Sequence, residues 1–160
     1  MHARAQIRQA FAAVLAGITL PDALPERPAR EVPVFSGRAR PITSAECPAI
    51  AIFARDDEPA TDAGAMGPVW ARALTVAVYA VVRQGDDDDL VDELAELIET
   101  RVGADIAAEL GKLPGDGCVD LTLGTSTIIA NIETDKSIRA IEINYRLTYR
   151  TRAGVPGVFV

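Results

Sequence analysis

The chain has a single histidine, His2, so the imidazole-dependent arrangements of hydrolases, Ser/His/Asp and Cys/His, have no base to build on. It has two cysteines, Cys47 and Cys118, with neither CxxC spacing nor histidines nearby. They read as small buried or near-surface thiols rather than as a metal or redox pair. No GxxxxGK[ST] occurs, nor any GxGxxG after a strand-like run, which removes the local basis for nucleotide binding. Aromatic residues make up 5% of the chain and the net charge is −7, a poor composition for gripping specific DNA sequences. The longest wholly apolar runs, residues 49–54 and 76–82, are far below the roughly 18 residues that span a bilayer. No membrane partner is expected. Residues 1–16 carry Arg4, Gln6, Arg8 and Gln9 among their apolar positions and lack the uninterrupted core of a signal peptide, so the chain is expected to remain in the cytoplasm where it is made.

What is present is a globular composition, 49% hydrophobic and 24% charged over 160 residues, which predicts one domain spanning residues 1–160. The charge is segregated. Residues 1–40 hold six arginines against three acids, residues 86–110 hold ten acids against Arg101 alone, and residues 136–152 hold five bases against Glu142. One acidic segment between two basic ends suits complementary contacts between identical subunits.

Periodicity predicts the elements. Ile7, Phe11, Val14, Leu15 and Ile18 fall on one helical face, giving a helix over about residues 2–16 that stops at Gly17, with Arg4 and Arg8 off the apolar stripe and free for a partner. Residues 21–48 contain six of the ten prolines and read as an extended arm with a short edge strand near residues 32–35. Residues 49–54 read as a buried strand, and about residues 55–68 as a flexible loop. Residues 69–83 are apolar on both faces, which predicts a central strand covered on both sides, by helices or by a neighbouring subunit. After Gly85, four aspartates open a helix striped by Leu90, Val91, Leu94, Leu97, Ile98 and Val102, with a break expected at Gly103. Residues 119–123 and 141–149 alternate as strands of a hairpin about residues 133–136, and the second has a basic wet face. The apolar tail, residues 155–160, is expected to dock on its own domain or on a neighbour. These elements predict an α+β, sandwich-like fold: a single mixed, mainly antiparallel sheet of four to five strands with two main helices packed on it.

Two acidic clusters invite metal readings. Asp86 and Asp88 have calcium-loop spacing, but Leu90 takes the fifth position, no glycine follows at the sixth, and the run leads straight into a helix. Asp56, Asp57 and Glu58 read better as a solvated loop than as the metal site of a small enzyme. No cofactor is expected, and no residue cluster asks for a small ligand.

The opening Met1-His2-Ala3-Arg4-Ala5-Gln6-Ile7-Arg8-Gln9-Ala10-Phe11 resembles that of tail-terminator and related minor tail proteins of long-tailed bacteriophages. Residues 48–53 followed by Asp56-Asp57-Glu58, the strand at 74–82, the acidic helix at 90–101 and Tyr145-Arg146-Leu147-Thr148-Tyr149-Arg150-Thr151 continue the resemblance in order. It implies a non-enzymatic virion protein that forms a ring, usually of six, at the head-proximal end of the tail tube. There it would stop tube polymerisation and join the tail to the head connector, with genome DNA passing through the lumen without specific binding. A head-completion or neck adaptor of similar fold is the alternative. The expected partners are other copies of the chain, the tube protein and the connector. Expected contact residues are Arg4, Arg8, Arg38 and Arg40 at the basic start, Asp56, Asp57, Glu58, Glu93 and Glu96 among the acids, and Arg146, Arg150 and Phe159 near the end.

Overall fold

The computed structural model describes residues 1–20, 29–59, 69–83, 85, 88–114, 120–129 and 138–160. Helix α1, Ala3–Leu15, begins where His2 accepts the Arg4 backbone N–H through its ring nitrogen, and ends as Ala16 leaves helical geometry and Gly17 turns at φ +76°. It buries Ala3, Ile7, Phe11, Val14 and Leu15. Two short strands, β1 (Thr19–Leu20) and β2 (Arg30–Glu31), pair with each other as a separate ribbon.

The main sheet contains β3 (Val34–Ser36), β4 (Ala49–Pro59), β5 (Val69–Arg83), β6 (Asp120–Ile129), β7 (Ile138–Arg152) and β8 (Val155–Phe159). Its order is β3-β4-β5-β7-β6, with β8 pairing the end of β7. Among the described strands only β3 and β4 run parallel. The expected α+β architecture is therefore present, with eight strands among the described residues rather than four or five. Strand β3 falls where the short edge strand was expected; β1, β2 and β8, which were not foreseen, are two to five residues long, and pieces that short show no alternation until a distant partner holds them.

Helix α2, Asp88–Leu110, lies beside α1 on the same face of the sheet. Val91, Leu94, Ala95, Ile98, Val102, Ile106 and Leu110 form its buried stripe. It runs straight through Gly103, contrary to the expected break. Glycine costs about 1 kcal/mol inside a helix, whereas burying Val102 and Ile106 on either side gains about 1.5–3 kcal/mol each. These stripes meet Ile50 and Ile52 of β4, Leu74, Val76, Val78, Ala80 and Val82 of β5, and Ile141, Ile143, Tyr145, Leu147 and Tyr149 of β7 in one core.

The opposite face of β5 carries a smaller cluster, in which Cys47, Ala51, Ala77, Tyr79, Val81, Ile138 and Ala140 pack with half-buried Ile42 and Phe53. Among the described residues it is the segment around Ile42 and Cys47 that covers this face, and only at one end. Strand β5 is central as expected, and among the described residues the helices α1 and α2 cover one of its faces.

Residues 55–59, expected in a loop, continue β4. A bulge at Asp56, φ 21°, shifts the register, and Asp57, Glu58 and Pro59 then pair with Leu74, Ala73 and Arg72. The remainder of that expected loop, residues 60–68, lies outside the described residues, as do residues 21–28, Cys118 and the turn at 133–136. Where the proline-rich segment is described it is tied to the domain: Val32 N–H donates to Ile18 C=O at 2.8 Å and Ile50 N–H to Pro33 C=O at 2.9 Å.

Candidate functional site

Strand alternation sends the even-numbered residues of β7 from Ala140 to Arg152 away from the helices, because Tyr145 and Leu147 are fixed inward opposite Val76 and Leu74. Arg146, Arg150 and Arg152 are exposed on this outer face. Across β5, whose outward residues here are the small Ala71, Ala73 and Thr75, stand Asp56 and Glu58 of β4, also exposed. Asp56, Glu58, Ala73, Thr75 and Arg146 line a cleft of about 140 Å³, with carboxylates on one wall and a guanidinium on the other.

Further along the same face, Glu142 gathers a network that the sequence did not reveal. It accepts from Tyr79 OH at 2.7 Å and from Arg55 Nη1 and Asn144 Nδ2 at 3.0 Å each, and Arg55 also donates to the Tyr79 oxygen. Burial, aided by the bond to Glu142, pushes the Tyr79 phenol up to about 12. The signal was register: 55, 79 and 142 are far apart in sequence and meet only once the strands are aligned.

Glu93 and Glu96 are exposed on the far side of the molecule, on the solvent face of α2, with Asp92 and Glu99. The acidic helix face and the basic strand face thus belong to opposite layers and point in opposite directions.

Several expected contact residues are engaged within the chain. Arg8 is half-buried and donates from Nε to Ser36 Oγ at 3.0 Å, clasping β3 to α1. Arg38 lies over the Phe35 ring at 4.5 Å and reaches both Glu46 oxygens at 2.8 and 3.0 Å, leaving 9% of its side chain exposed. Arg40 reaches the same carboxylate at 3.3 Å but stays in solvent, and Arg4 is exposed at the start of α1. The Thr43 backbone N–H, then Arg38, holds Glu46 down to about 2. Asp57 points to the helix side, where it accepts from Arg72 Nε and Tyr149 OH. Phe159, expected at an interface, is 1% exposed and packs on Tyr149 with ring centroids 5.9 Å apart. The apolar tail docks on its own domain because β8 pairs with β7 and Phe159 N–H donates to Pro114 C=O.

Asp56, Asp57 and Glu58, weighed above as a metal site, are split between faces by the alternation, and Asp57 is occupied by its two donors. Among the described residues no three His, Cys, Asp or Glu side chains are grouped to hold a cation, and no helix is long and apolar enough to cross a membrane.

Among the described residues the subunit is a two-layer α+β fold whose exposed acids line the solvent face of α2 and whose exposed arginines stand on the outer face of β7, beside Asp56 and Glu58 of β4. The model of the phage minor tail protein U family matches residues 2–110, and the chain belongs to this family. It is a structural component of a phage tail and so of the virion. The match covers α1 to the end of α2; the basic strand β7 lies beyond it. No curated protein matches the chain.

Proposed function

We propose that the protein is a tail terminator: a homo-oligomeric ring, of six copies, at the head-proximal end of the tail tube, which stops tube polymerisation and joins the tail to the head connector. The observation that carries this reading is the placement of the acidic face of α2 and the basic face of β7 on opposite sides of one subunit. Complementary patches on opposite sides make a head-to-tail contact, and head-to-tail contacts that close make rings. An isologous pair would need each patch to be complementary to itself.

A net charge of −7 fits a lumen through which DNA slides, since phosphate is repelled rather than held. The tube protein and the head connector are the partners on the two rims. Deleting the gene and imaging the lysate tests the assignment. Overlong tails of uneven length beside filled heads are expected. Tails of normal length that fail to join heads would instead make the protein a neck adaptor, and intact infectious particles would reject both roles.

A further inference from the structure

Exposed charge pairs add little net binding energy, so arginines and glutamates can select a neighbour without holding it. A stable contact needs an apolar anchor inside the charged rim. The outer face of the sheet has one, at the corner where β5 begins and β7 and β8 meet. Val69, Val155 and Val158 are 40%, 44% and 36% exposed there. Register places Val69 opposite Arg152, and Arg152 opposite Val155, so Val69, Arg152 and Val155 form one row across three strands. Arg150 stands two residues up the same face.

We infer that this corner is the seat of a second copy of the chain, entered by the ridge of α2 that carries Leu90, Glu93 and Leu97. The inference rests on the ring reading above and deepens it by naming the two surfaces that meet. Leu90 and Leu97 flank Glu93 at helical i, i+3, i+7 spacing; both leucines are half-buried and Glu93 is exposed. At 1.5 Å per residue the leucines stand about 10.5 Å apart along the helix. Two inter-strand spacings set Val69 and Val155 about 9.5 Å apart. An apolar-acidic-apolar ridge thus matches an apolar-basic-apolar row in sign, order and length. Laid across the strands, α2 sets Glu93 on Arg152 and a leucine on each valine. Glu96, one turn along from Glu93 on the solvent face, then comes within reach of Arg150.

Sedimentation velocity of the purified full chain over a concentration series tests the seat, using Arg152→Glu, Glu93→Arg, the two combined, and Val155→Asp. Arg152 and Val155 lie on the sheet corner and Glu93 on the ridge; all three are exposed, and thermal unfolding of each variant serves as the control for folding. Each single change is expected to raise the concentration for half-assembly at least about tenfold. Combining the two reversals in one chain is expected to recover most of it. A wild-type oligomer that Arg152→Glu and Val155→Asp leave unchanged overturns this seat while the ring stands. A wild-type chain that stays monomeric at its highest soluble concentration also overturns the seat, whereas the ring reading falls only if the gene deletion leaves tail length and head joining intact.

Discussion

The Tyr149 hydroxyl donates to Asp57 Oδ1 at 2.9 Å across an intervening strand, and Arg72 on that strand donates to the same oxygen at 2.9 Å. Three strands are thereby pinned on the helix side, just past the bulge at Asp56. Replacing Asp57 with Ala removes the carboxylate to which the phenol and the guanidinium both donate, leaving Arg72 its bond to the Asp57 backbone carbonyl at 3.3 Å. The expected loss is about 2–3 kcal/mol, against about 1 kcal/mol for Tyr149→Phe, which keeps the ion pair. For a chain of this size that is a fall in Tm of about 4–12 °C and about 2–4 °C, read by circular dichroism.

Alkali should unfold the protein through its tyrosines. Burial raises Tyr79 to about 12, and burial also raises Tyr145 and Tyr149. Groups whose folded values lie above the unfolded value near 10 stabilise the fold fully below pH 10, and that contribution is lost as pH rises through the folded values. Tyrosinate absorbance in the near ultraviolet should stay low until pH exceeds the ordinary value, then rise together with loss of structure. A rise centred at the ordinary value with the fold intact would contradict the burial of these rings.

At the acid end the clasp formed by Arg38 and Glu46 should fail. Glu46 is held at about 2, below its ordinary 4.5, so its contribution is complete above 4.5 and is lost as pH falls towards 2. Urea midpoints measured across that window should decline more steeply for the wild type than for Glu46→Gln.

Gly103 offers a stabilising change. It lies in the exposed face of α2, and an added Cβ would meet nothing within 4 Å. Gly103→Ala should therefore stabilise by about 0.5–1 kcal/mol through backbone entropy alone, seen as a rise in urea midpoint with unchanged slope.

Charge reversal at Arg146 and Arg150 should separate assembly from folding. Both side chains are exposed, so the monomer's Tm should move little, while self-association at low salt should weaken. Association unchanged by the double reversal would count against the use of β7's outer face.

Elements with a strong internal rhythm were legible without coordinates. The apolar spacing of α1, the stop at Gly17 and the double-faced strand β5 needed only local periodicity. The segments missed were those whose state depends on a distant partner. Residues 55–59 are polar and loop-like until Arg72 and Tyr149 engage Asp57, and Gly103 is a helix breaker until its neighbours find a core.

The candidate site divides in the same way. Sequence alone determined the segregation of charge and the alternation that keeps Arg146 and Arg150 on one face, because both follow from residue order and the two-residue period of a strand. Only the tertiary structure decided that α2 and the outer face of β7 look in opposite directions. It also withdrew Arg38, Asp57 and Phe159 from the surface and set Val69, Arg152 and Val155 in one row, because cross-strand register and layer assignment are fixed by burial of the whole core and not by any segment within it.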